Sequence, residues 1–158
     1  MRHRLLTAAV TAVVLVAGLA AVASANRKPR PISEPTTLVY VSVATSVGSI
    51  DADPPGTSTG DQQTSSSRLM SHGQRAGSLD ANCSFALPRM ICWGVIRLQP
   101  GQITIQGGLR QSVFTGGGAL TLTIPITGGT GAYQHVHGFA RIEPLPSGKQ
   151  RVTLQLEP

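Results

Sequence analysis

The sequence predicts an all-β chain, a sandwich or an antiparallel barrel, on three observations. Apolar and polar residues alternate with period two in several stretches, these stretches are separated by glycine and proline, and no segment after the amino-terminal region shows a convincing helical period. Roughly eight short strands in a chain of this size suit either architecture.

The elements follow in order. "TTLVYVSVATS" sets Val39, Val41 and Val43 on one parity and Tyr40, Ser42 and Ala44 on the other, the mark of a strand with one buried face. "SIDADPPGTSTGDQQTSSS" is a long polar loop punctuated by Pro54-Pro55-Gly56 and Gly60-Asp61, and "TSSSRLM" is a weak second strand. "LDANCSFALPRMICWGVIRL" reads as two strands joined by a turn at Leu87-Pro88-Arg89. "QITIQGG" continues with Ile103 and Ile105. "ALTLTIPIT" places Leu120, Leu122, Ile124 and Ile126 on one face, with Pro125 marking an edge or a bulge because it cannot donate to a ladder. "VHGFARIEPL" and "QRVTLQL" close the series, the latter alternating Val152, Leu154 and Leu156 with Thr153 and Gln155.

The amino terminus is different. Arg2 and Arg4 precede an apolar run from Leu5 to Val22 and the triplet Ala23-Ser24-Ala25, which is the pattern of a secretory signal peptide over residues 1–25, cleaved after Ala25. A retained anchor is the alternative, since the run approaches the ~20 residues that cross a bilayer. Cleavage leaves a basic, proline-rich tail over residues 26–37 and one domain over residues 38–158, outside the cytoplasm, with the membrane met only through the signal segment. The mature chain carries 11 basic and 7 acidic residues, and without Arg27, Lys28 and Arg30 its net charge is +1. Basic character is thus mostly a tail, and no basic face with stacking aromatics supports a nucleic-acid partner.

Cys83 and Cys92 are an even pair in an exported chain, which favours a disulfide over two buried thiols or a nucleophile. A turn centred on Leu87 and Pro88 brings them opposite each other, within the reach of an antiparallel pair.

"ITGGTGAYQHVHGFARI" raises three readings. Gly128, Gly129 and Gly131 fit neither phosphate-loop pattern, because no lysine follows and a strand-like stretch replaces the required helix. His135 and His137 form H-x-H, half of a metal site if both lie on a strand, but His72 and the carboxylates supply no evident third ligand, so no metal is expected. A tight glycine turn remains.

"LQPGQITIQGGL" with "ITGGTGAYQHVHGFARI" resembles the signature of the allene oxide cyclase barrel superfamily, which includes plant dirigent proteins and many exported bacterial homologues. The matching positions are Gly101 to Gly107 for "G-x-I-T-x-Q-G", Ile126 to Tyr133 for the "ITGGTG-x-Y" turn (Gly128, Gly129, Thr130, Gly131, Tyr133), and Gly138. "DADPPGTSTGD", Asp51 to Asp61, resembles the bacterial branch's "D-x-x-P-P-G-x-S-x-G-D" loop, and Cys83 and Cys92 sit where that branch often carries a cysteine pair. The likeness covers roughly residues 38 to 157.

The resemblance implies a single eight-stranded antiparallel β-barrel whose lumen holds a small apolar molecule, without metal or organic cofactor, in a family whose barrels often assemble as homo-oligomers. Eight strands leave an interior either filled by side chains or wide enough for one small ligand. The family's cyclases use a buried first-strand glutamate, and "LVYVSVATS" contains no Asp or Glu, so that residue has no counterpart here. Asp51 and Asp61 are the nearest carboxylates. Either could act as acid or base if burial raised its pKa, while the plainer role, shared by Asp53, is to accept backbone hydrogen bonds in a turn. Arg97 and Arg110 could neutralise an acidic ligand, and Trp93 and Phe85 could line or fill a lumen. The expected function is binding or guiding a small apolar molecule. The alternatives are a cofactor-independent isomerase or cyclase, and an extracellular structural or interaction module with a packed barrel.

Overall fold

The computed structural model describes residues 29–110 and 121–158. The expected signal segment, its cleavage site at Ala25, and Leu120 lie outside these residues. Eight strands are present: β1 (Thr36–Ile50), β2 (Gln62–Ser71), β3 (Gln74–Ala86), β4 (Arg89–Leu98), β5 (Gly101–Arg110), β6 (Leu122–Gly131), β7 (His137–Pro144) and β8 (Gln150–Glu157). Each pairs antiparallel with its sequence neighbour, and β8 returns to β1, so the sheet closes into a barrel rather than stacking as a sandwich. β1 starts at Thr36, so Thr36 and Thr37, expected in the tail, belong to the wall. β2 starts at Gln62 and takes in residues expected in the polar loop.

The inner face follows from alternation. On β4, Met90, Cys92, Ile96 and Leu98 are buried, while Ile91, Trp93 and Arg97 are exposed. On β8, Val152, Leu154 and Leu156 are buried as their parity demands. A fully buried Leu or Ile contributes about 1.5–3 kcal/mol through the hydrophobic effect, so these inward rows are the main source of stability.

β1 departs from the simplest reading. Its buried parity is Leu38, Tyr40 and Ser42, with Ser42 only 2% exposed, whereas Val39, on the more apolar parity, is 52% exposed. Ladder register explains this: Ser42 lies opposite the inward Leu69 of β2, and Tyr40 opposite the inward Val152 of β8. Neighbouring strands, not the strand's own apolar count, decide which face turns inward.

One end of the barrel is shut. Residues 132–136, between β6 and β7, bury Ala132, Tyr133 and Val136, and the Ile32 N–H donates to the Ala132 carbonyl at 3.0 Å. The other end is a mouth with walls of unequal height. The β1–β8 ladder runs only from Thr36 to Ser42, yet β1 continues to Ile50 beside β2. The β5–β6 ladder stops at Ile105 opposite Ile126, after a bulge that leaves Thr127 unpaired. Pro125, next in line, has no N–H to continue it, so the proline stands beside the expected bulge and at a ladder's end while still pairing with Phe139 of β7.

Candidate functional site

A cavity of about 130 Å³ occupies the mouth. Leu79 of β3, Ile105 and Leu109 of β5, Leu122 and Ile124 of β6 and Ile142 of β7 give it a hydrocarbon wall. Ser65 and Ser67 of β2 and Gln150 of β8 supply polar groups. No Asp, Glu, His, Lys or Arg is among its lining residues. Ser65 and Ser67 face inward because they share the parity of fully buried Leu69. The sequence carried that signal, but a serine-rich stretch beside a loop does not advertise a lumen.

Cys83 and Cys92 are directly opposite on the β3–β4 ladder, joined as a disulfide, and both line this cavity. Phe85, Met90 and Cys92 form a small buried cluster separate from the main core, with Cys83 and Leu109 against it. Phe85 therefore packs inside this cluster and is not part of the cavity lining, while Trp93, of opposite parity on β4 and 45% exposed, borders the cavity beside Cys92.

The two candidate carboxylates lie apart from the cavity lining. Asp51 and Asp61 share a shallow groove of about 280 Å³, formed by the loop after β1 and the ends of β1 to β3. Asp61 is buried and accepts from the Ser58 N–H (2.8 Å), the Ala52 N–H (2.8 Å) and the Ser58 hydroxyl (3.0 Å). The Ser58 and Ala52 amides hold its carboxyl below the usual carboxylate range, against the opposing effect of burial. That direction suits an ionised loop anchor, not a general acid. The Gly56 N–H reaches Asp51 at 3.5 Å, and Asp53 is exposed in the same loop.

The "ITGGTGAY" residues are at the shut end. Gly131 (φ 65°) is crowded by the Pro100 carbonyl and Gly138 (φ 118°) by the Gln155 carbonyl, so a Cβ at either would overlap backbone. Gly128 and Gly129 run alongside β5, and the Thr130 hydroxyl oxygen accepts from the Gln102 N–H at 3.2 Å. Together they bring β6 against β5 and drop Tyr133 into the core. Burial raises the Tyr133 phenol pKa; it raises that of Tyr40 as well, with Tyr133 adding to the effect.

The histidines do not form the strand pair that H-x-H suggested. His135 sits in the turn at φ 70°, and His137 opens β7 with its Nε2 at 3.2 Å from Glu157. His72 has φ 49° in the β2–β3 turn, and among the described residues no group of three metal-ligating side chains occurs. Arg97 pairs with Asp80 on the outer surface, and Arg110 lies exposed opposite Arg89, so neither faces the lumen.

No protein-family model matches the chain, and no curated protein matches it. Solved structures do. A pyocyanin demethylase matches with a TM-score of 0.66 at 23% identity, covering 77% of this chain and 100% of that one. The Diels Alderase AbmU from Streptomyces koyangensis matches with a TM-score of 0.63 at 20% identity, covering 77% of this chain and 63% of its own. AbnU, an exo-specific intermolecular Diels-Alderase, matches with a TM-score of 0.62 at 12% identity, covering 78% and 98%. At these identities the likeness is one of fold: the chain is a closed, eight-stranded antiparallel barrel of the kind these proteins share.

Proposed function

We propose that this barrel, exported as its amino-terminal pattern suggests, binds a compact apolar molecule in the lumen and holds or guides it, in the manner of the allene oxide cyclase and dirigent families it resembles. The observation that carries the reading is a cavity walled by Leu and Ile side chains and lined by no ionisable group. An apolar pocket with a few polar groups is the usual form of a small-molecule site. The barrel neighbours named as Diels-Alderases and a demethylase support the reading that this architecture accommodates small molecules.

Mass spectrometry of the exported protein, native and then denatured, tests it. A small adduct is expected in the native spectrum alone, and it should be absent from Ala81→Phe, which fills the lumen from β3. A clean native mass from an exported sample, together with no uptake of added cyclic hydrocarbons, would count against the reading. The denatured mass also reports whether the chain begins at Asn26.

A second reading is a cyclase that folds a flexible substrate into reactive geometry. It is favoured by the two neighbours named as Diels-Alderases, because ring closure by positioning needs no acid or base. Released product in excess of protein would favour this reading; retention of one molecule per chain favours the first.

A further inference from the structure

We infer that the lumen selects a neutral molecule bearing one hydroxyl or carbonyl on one edge, met by Ser65, Ser67 and Gln150. This rests on the reading that the lumen binds a ligand, and it adds the chemical class.

The cavity is divided by strand. Apart from the half-exposed Trp93 of β4, its polar side chains come from one side of the barrel: Gln150 starts β8, and Ser65 and Ser67 are on β2, with β1 between them. Register ties them together. On β1, Ser42 lies opposite Gln150 on one side and Leu69 on the other, Ala44 lies opposite Ser67, and Val47 opposite Ser65. Across the lumen stand Ile105, Leu109, Leu122 and Ile124, without a polar side-chain atom among them. An occupant therefore meets oxygen and amide on one flank and hydrocarbon on the other.

Ser67 is only 9% exposed. A buried hydroxyl must exchange its water for another partner or lose the bond. A ligand oxygen on that flank supplies one, whereas a pure hydrocarbon displaces water and returns nothing. Serine hydroxyls and a glutamine amide both donate and accept, so alcohols and ketones are served alike. A carboxylate or ammonium is disfavoured because no lining residue offers an opposite charge. Size sets the rest: the 130 Å³ cavity is comparable with an apolar cavity of about 150 Å³ known to take benzene, so a single ring is the natural occupant.

The test uses three probes of similar shape, cyclohexanol, methylcyclohexane and cyclohexanecarboxylate, titrated into the folded full barrel with its disulfide intact. The expected result is binding of the first two and not of the carboxylate. The preference for alcohol over hydrocarbon, taken as a ratio of Kd values, should fall about five- to tenfold in Ser65→Ala/Ser67→Ala. Gln150→Leu, at an exposed position, should move the ratio the same way and covers the case in which the double variant misfolds. An unchanged ratio in folded variants that still bind both neutral probes overturns the polar-flank assignment and leaves lumen binding intact. Carboxylate binding as tight as that of the alcohol overturns neutrality. Absence of binding by all three overturns this inference together with the reading beneath it.

Discussion

The Cα atoms of Cys83 and Cys92 are 4.0 Å apart, at an in-register pair of the β3–β4 ladder, and their disulfide forms part of the lumen wall. The link closes a short hairpin, with a sequence separation of 9. Loop-closure entropy then limits its contribution to at most about 3 kcal/mol. Cys83→Ala/Cys92→Ala is expected to fold and to lose about 1–3 kcal/mol in urea denaturation. Its m-value should rise, since an unlinked denatured chain exposes more surface.

Asp61 should behave as a loop anchor. With its folded pKa lowered, its ionised form is favoured by folding. Its stabilising contribution is present above the unfolded carboxyl pKa of about 3.9 and is lost as pH falls through the lowered folded value. Asp61→Asn is expected to destabilise the protein at pH 7, to lose that deficit progressively in acid, and to keep probe binding. Paired denaturation curves from pH 7 down to pH 2 would show it; a deficit constant with pH, or lost binding in a folded variant, would contradict it.

Gly131 and Gly148 give an internal control on crowding. Both have positive φ, 65° and 68°, but a Cβ on Gly131 would overlap the Pro100 carbonyl, whereas one on Gly148 meets nothing within 4 Å. Gly148→Ala should cost about 1 kcal/mol, the conformational term alone. Gly131→Ala should cost more than about 2 kcal/mol, because the shut end must also shift. Equal melting temperatures for the two would refute the packing argument.

Arg97 and Asp80 form an ion pair outside the barrel, with side chains 50% and 42% exposed. Arg97→Gln is therefore expected to cost less than about 1 kcal/mol and to leave probe affinities unchanged. A large loss of affinity would mean that the outer surface of β3 and β4 takes part in binding.

Much of the barrel was legible because half-buried strands write their faces into sequence. Ile124 and Ile126, or Val152, Leu154 and Leu156, alternate cleanly and are buried as written. The pairing of Cys83 with Cys92 followed from one turn position. β1 was harder, since its valine parity looks like the core while Leu38, Tyr40 and Ser42 face inward. Facing there depends on register with β2 and β8, which are distant in sequence. The polar flank of the lumen was hidden for a related reason. Ser65 and Ser67 are inward only because Leu69 is, and residue type alone sends serine to the surface. Closure itself is a long-range pairing of β1 with β8 that no local pattern encodes. The family resemblance supplied the barrel; the strand pattern left a sandwich equally open.

The incomplete ladders make the barrel a clip. Strands β1 to β5 form one jaw and β6 to β8 the other, and the ladder pairs joining them, Thr36–Ser42 with Leu156–Gln150 and Gly101–Ile105 with Gly131–Ile126, run from the shut end and stop at the level of the cavity. Among the described residues, widening the mouth beyond Ser42–Gln150 and Ile105–Ile126 therefore separates no ladder pair between the jaws, so the rim can spread while the sheet stays joined below it.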